Sequence, residues 1–232
     1  MSEWWTYSLS DLLMFSRPTY FRLFALLNEA VWPAQLAAVL VGLALVAAIL
    51  RGAGKAGRLA AALLAICWLW VAWTYHAQRY AAINLAGPYF AMAFALQTVL
   101  LCWLATRRRA PAIASWRGPL GGLALALVLA GLLLYPLLAA VDGRPWQQAE
   151  VFGIAPDPTV AATLGMLLLW RAQWFLWIVP LLWCAASGAT LMELRAAQAW
   201  ALPALGLLAL AAMLVARLRM RPLPRQHPSS TG

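Results

Sequence analysis

Long apolar runs separated by short polar breaks organise nearly the whole chain. They cover residues 32–50, 59–76, 88–105, 120–140, 158–170, 173–192 and 199–216. A helix over 32–50 is about 28 Å long, enough to cross the hydrocarbon core of a bilayer. The pattern predicts an all-α polytopic transmembrane bundle of about seven spans. The run 158–170 is short for a crossing, about 20 Å as a helix. It reads either as a short span in locally thinned bilayer or as a re-entrant piece, which would leave six spans.

Residues 1–31 follow a different rule, because aromatic and charged side chains alternate there without a long apolar stretch. Ser8 and Asp11 have the spacing of a capping box and predict a short helix over 9–15. Ser16, Arg17 and Pro18 break it. Residues 19–31 then predict a second helix, with Tyr20, Phe21, Phe24, Leu27 and Val31 on its apolar side. Arg22 and Glu29, two turns apart, fall on its polar side. Such segments lie flat at a membrane–water interface, so 1–31 reads as two amphipathic interfacial helices, 32–216 as the bundle, and 217–232 as a basic tail expected to be disordered.

Composition agrees with the pattern. The chain is 65% hydrophobic and 10% charged, against about half and about a quarter in a soluble domain. Its net charge of +10 does not point to nucleic acid, because the basic residues cluster at helix ends. With seven spans, twelve of the 17 Lys and Arg fall on one side, at 51–58, 107–117, 171 and 217–225. The other side holds Arg17, Arg22, Arg79, Arg144 and Arg195 and all 7 acidic residues. The Lys/Arg bias orients the chain with its C-terminus in the cytoplasm and its N-terminus outside.

Little in the chain suggests a reaction. Cys67, Cys102 and Cys184 are far apart and read as small buried hydrophobes. There is no Cys/His metal spacing, phosphate loop, hydrolase elbow or HExxH helix, so no catalytic residue, metal or cofactor is expected. The clearest polar constellation gathers Asp142, Arg144, Glu150 and Asp157 from one outer connection, His76 and Arg79 from another, and Asp11, Arg22 and Glu29 from the N-terminal helices. It reads either as a ligand-binding vestibule capped by those helices or, more simply, as solvated loop charges contributing roughly 0–1 kcal/mol per pair. His76 reads as an interfacial imidazole bonded to a carbonyl, with a proton relay as the alternative. Asp157 is expected to cap the helix over 158–170, the alternative being a polar-ligand site at that helix end. Pro136, Pro180 and Pro203 predict kinks within spans. Trp32, Trp73 and Trp146 fit an outer aromatic belt, and Trp103, Trp116, Trp170 and Trp174 an inner one. Trp68, Trp70, Trp177 and Trp183 lie deeper, where indole N–H groups need partners.

Five stretches carry a resemblance: Glu3-Trp4-Trp5-Thr6-Tyr7 with Leu9-Ser10-Asp11, Phe15-Ser16 with Thr19-Tyr20, Ala30-Val31-Trp32-Pro33, Phe152-Gly153-Ile154-Ala155-Pro156 with Pro158-Thr159, and Ile178-Val179-Pro180-Leu181-Leu182-Trp183. Here the chain resembles an uncharacterised family of small bacterial polytopic membrane proteins, sometimes labelled permeases. The resemblance implies a bacterial inner (plasma) membrane protein of unknown activity and identifies no catalytic residue. It also puts Cys where Asp157 stands, which implies that this carboxylate is not indispensable. A chain of 232 residues is too short for a complete twelve-span transporter. The sequence is therefore expected to be a small permease-like or ligand-binding membrane protein. Its partners would be the lipid bilayer and a membrane protein or second copy. The alternative is a non-catalytic subunit or assembly factor of a larger membrane complex.

Overall fold

Ser16 opens the first helix of the computed structural model, which describes residues 15–109 and 111–219. Its side chain accepts a hydrogen bond from the Thr19 backbone N–H, and Pro18 sits in the first turn where its missing N–H costs nothing. This helix, α1 (Arg17–Val31), buries Tyr20, Phe21, Leu23, Phe24 and Leu27, and Val31 is half-buried at the stripe's edge. The stripe packs onto the end of the bundle. Phe24 stacks on Tyr75 with ring centres 5.1 Å apart, and Tyr20 meets Tyr80 edge-on at 6.0 Å. The helix expected over 9–15 and its Asp11 lie outside the described residues, except for Phe15, which stacks on Tyr20.

Helix α2 (Ala34–Leu50) follows a cis Trp32–Pro33 bond and is bent 86° from α1. Helix α3 (Ala56–Trp70) runs on through a π-helical stretch, Val71–Ala77. After α4 (Gly87–Thr106) comes α5 (Pro119–Leu129), continued by a second π stretch (Ala130–Leu134), a 3-10 turn (Tyr135–Leu137) and the short α6 (Leu138–Val141). Then follow α7 (Pro156–Leu169), α8 (Ile178–Glu193), which is entered by a 3-10 turn at Trp174–Trp177, and α9 (Ala201–Arg219). The described residues contain no strand.

Five stretches are long and apolar enough to cross a membrane: Ala56–Ala82, Gly87–Thr106, Pro119–Val141, Trp174–Glu193 and Ala201–Leu218. A sixth is present if the bent pair α1–α2 is one span. The remaining apolar run is α7. It is about 21 Å long, and all 14 of its residues are buried. Helix α7 is therefore the central post of the bundle, and its all-round hydrophobicity reflects contact with protein on every side. Two glycines allow this closeness: a Cβ on Gly165 would lie 2.5 Å from the Ala124 carbonyl oxygen, and one on Gly131 would lie 2.5 Å from that of Pro158.

Pro136 interrupts its span as expected, inside the 3-10 turn that follows a π stretch. Pro180 and Pro203 stand near helix starts rather than in helix interiors. Each is the third residue of α8 or α9, in the first turn, where a backbone N–H has no helical partner to lose. Cys67 and Cys184 are buried as expected, but Cys102 is exposed. Of the deep tryptophans, Trp68, Trp177 and Trp183 are buried, whereas Trp70 is exposed and Trp170, expected in the inner belt, is buried.

Candidate functional site

Pro156 and Pro158 set the start of α7, and the residue between them turns inward. Ala155 occupies the position before the helix, and no side chain caps it. Asp157 is thus not the cap the sequence suggested. Its carboxylate is fully buried and accepts three hydrogen bonds. Oδ2 accepts from the Tyr135 hydroxyl at 2.9 Å and the Ser187 hydroxyl at 2.7 Å, and Oδ1 accepts from the Trp183 indole N–H at 2.8 Å. One side chain thereby ties α7 to the 3-10 turn after α5 and to α8. Thr159, two residues on, donates to the Ala155 carbonyl at 2.7 Å and accepts from the Gly153 N–H at 2.9 Å, which holds the loop entering α7.

The second cluster forms where the chain leaves α6. Gly143 has a φ of +69°, a conformation that suits glycine, and it turns the chain so that Asp142 and Arg144 both face inward. Asp142 Oδ1 accepts from Arg17 Nη2 at 2.7 Å and from the Ala197 N–H at 2.7 Å, and its Oδ2 accepts from Arg144 Nε at 2.9 Å. Arg144 also donates to the Gln148 carbonyl at 2.8 Å and to Gln198 Oε1, and it lies 3.8 Å over the Phe21 ring. Gln198 in turn donates to Glu150 Oε1 at 2.6 Å, and Arg144 Nη2 stands 3.7 Å from the same oxygen. Glu150 Oε2 is buried without a partner. Burial, with the nearby Asp157 charge, pushes the Glu150 carboxyl up to about 8, and Arg144 and Gln198 oppose that shift only in part.

The side chains of Asp142, Arg144 and Glu150 are 1%, 6% and 2% exposed. These are not the solvated loop charges that the simpler reading of the sequence expected. Breaking such a buried set by removing one partner costs about 3–5 kcal/mol.

The structure thus brings Asp142, Arg144 and Glu150 into one network and sets Asp157 in a second site within electrostatic reach. It leaves the other predicted residues apart. Arg22 stays on the exposed side of α1. Arg79 folds back to donate to the Thr74 carbonyl at 2.7 Å. His76 is not bonded to a carbonyl. It is fully buried in an aromatic cage, 4.4 Å from the Phe94 ring centre and 4.8 Å from that of Trp183, and both its ring nitrogens are unpartnered. The π-helical stretch Val71–Ala77 carries it there by turning this part of the span inward.

Arg17, Gln198, Tyr135 and Ser187 complete the two sites and are not among the residues predicted from the sequence. Ser187 and Tyr135 are polar groups inside apolar runs, a signal that by itself points to a buried partner. Gln198 and Arg17 sit in polar turns and carry no such mark. Of the deep indoles, Trp183 donates to Asp157 and Trp68 donates to Thr163 Oγ1 at 2.9 Å, but the buried Trp177 N–H has no partner among the described residues.

Glu29 lies elsewhere, at the elbow between α1 and α2. An open-sided cavity of about 1080 Å³ is set between that elbow, the irregular Leu132–Pro136 stretch and the loop Trp146–Val151. Trp32, Leu36, Leu40 and Trp146 are exposed along it. Asn28, Glu29, Gln35 and Gln147 supply its polar wall. Ala149 and Val151 face the cavity, while Glu150 between them faces the buried charge cluster.

Apolar helices of span length around two buried carboxylate sites define a multi-pass helical membrane protein. The chain belongs to a family described as a family of unknown function (DUF6064), whose model matches residues 17–222. No curated protein and no solved structure matches it significantly.

Proposed function

We propose that this is a small ligand-binding, permease-like membrane protein whose ligand enters at the α1–α2 elbow. The observation that carries the reading is the cavity of about 1080 Å³ there, large enough for a whole small molecule. Its wall at Ala149–Val151 is also the backbone of Glu150. A ligand pressing on this segment therefore acts directly on the Arg144–Gln198–Glu150 network, which gives a route from occupancy to the polar interior. The Lys/Arg asymmetry supports a multi-pass placement with the N-terminus outside and the C-terminus cytoplasmic, and the family resemblance supports a bacterial inner membrane.

The second reading, a subunit or assembly factor, rests on the exposed Trp32, Leu36, Leu40 and Trp146, which would serve equally as partner surface. Native mass spectrometry of protein gently extracted from its own membranes separates the two. A bound small molecule retained by wild type and lost in Leu133→Trp, which fills the cavity, is the expected result. A stoichiometric protein partner with no bound molecule overturns the ligand reading in favour of the subunit.

A further inference from the structure

We infer that the elbow cavity is a site for one amphiphile with a positively charged amine headgroup, its acyl chain lying along α2. The inference rests on the ligand-binding reading above and names the ligand's chemical class.

Shape and depth come first. The cavity begins at the bend between α1, which packs on the end of the bundle, and α2, an apolar helix of 17 residues. Trp32 and Trp146 stand exposed at this bend, as indoles do at headgroup level. From there Leu36 and Leu40, 54% and 65% exposed and one helical turn apart, continue an apolar wall along α2, with Leu133 opposite. A polar end that passes into an apolar trough fits a molecule with a head and a tail.

Charge sets the head. Among the described residues, Glu29 is the one charged residue lining the cavity, and it has no ion-pair partner there. It shares the polar end with exposed indole faces, which attract ammonium groups.

A chain of amide hydrogen bonds adds an unmet acceptor. Asn28 Nδ2 donates to the Gln147 and Ala149 carbonyls at 2.9 and 2.8 Å, so its Oδ1 must face Gln35. Gln35 therefore presents its Nε2, which donates to the Asn28 carbonyl at 2.7 Å and lies 3.3 Å from Oδ1. That leaves Gln35 Oε1 as an acceptor with no partner, in a cavity-lining side chain that is 7% exposed. A carboxylate and indole faces, with no cation beside them among the described residues, select an N–H-bearing cation and disfavour an anionic head, while Gln35 Oε1 lies buried just behind the wall.

The test uses full-length protein delipidated in detergent and then offered phosphatidylethanolamine or phosphatidylglycerol of equal chain length. Retention is read by native mass spectrometry. Wild type is expected to keep one phosphatidylethanolamine with at least about tenfold preference. Glu29→Gln, a change at an exposed site, is expected to lower that preference to within about twofold of parity, and Leu133→Trp to abolish retention. Equal retention of the two lipids, or an unchanged preference in Glu29→Gln, overturns the inference. Retention seen only after residues 1–14 are deleted would assign the cavity to that segment, and a lipid-free dimer would assign it to a second copy; either result overturns it. If neither lipid is kept but a molecule from the native membrane is, the headgroup class fails and the ligand-binding reading stands. If nothing is kept in either experiment, both fail.

Discussion

Asp157 offers the sharpest separation between a carboxylate needed for its charge and one needed for its shape. Its three donors are of two kinds. Trp183 N–H can only donate, and it points at Oδ1. Tyr135 and Ser187 present hydroxyls to Oδ2, and a hydroxyl can accept as well as donate. In Asp157→Asn, an amide with its oxygen toward Trp183 and its nitrogen toward the hydroxyls keeps all three contacts and removes a buried charge. The expected change in stability is below about 1 kcal/mol. Asp157→Ala leaves three buried donors unmet, each costing about 1–3 kcal/mol. Because the two hydroxyls can rotate toward other acceptors, the expected total is about 3–5 kcal/mol. For a chain of this size that is a drop in midpoint on the order of 10 °C. Asp157→Cys, the residue the family resemblance implies here, should fall between, since one thiol is a single weak acceptor. Thermal unfolding in detergent, followed by tryptophan fluorescence, measures all three. An Asn variant as unstable as the Ala variant, or an Ala variant as stable as wild type, would refute the hydrogen-bond account.

Two further outcomes follow from the neighbouring cluster. With its carboxyl pushed up to about 8 from the ordinary 4.5, Glu150 holds its proton in the fold at pH values where the unfolded chain has lost it. Stability should therefore decline as pH rises from about 4.5 toward 8, by up to about 1.4 kcal/mol per pH unit. Glu150→Gln should flatten that slope, and an unchanged slope would show that Glu150 is not its source. Arg144→Met removes the group joining Asp142, Gln198 and Gln148 and should cost about 3–5 kcal/mol. Arg144→Lys should recover only part of this, because one ammonium cannot span the directions a guanidinium fork reaches. A loss below about 1 kcal/mol for Arg144→Met in the same unfolding assay would mean that the cluster behaves as a solvated surface set.

Much of the fold is legible in the chain because its causes are local. Long apolar runs must satisfy their own backbone polar groups, so they become helices, and their lengths mark which ones cross. The stripe of Tyr20, Phe21, Phe24 and Leu27 is readable for the same reason, since helical spacing puts those residues on one side whatever they pack against. The run 158–170 shows the limit. Its length marks it as unusual, yet a helix apolar all round looks the same whether lipid or protein surrounds it, and only the packing makes α7 the fully buried post.

The site follows the same division. Sequence alone determined that Asp142, Arg144, Glu150 and Asp157 share one polar connection. It could not determine that Arg144 and Glu150 close on Gln198, 48 or more residues away, that Asp142 meets the Ala197 N–H beside it, or that Asp157 turns inward to Tyr135, Trp183 and Ser187. His76 and Arg79 are near neighbours in the chain, yet a π-helical stretch buries one in an aromatic cage and leaves the other at the bundle end. The elbow cavity is invisible in the chain because its walls come from three separated stretches. Local patterns set which segments are helical and apolar. Which polar groups leave water is set by how helices meet, because a buried charge persists only where distant partners arrive to satisfy it.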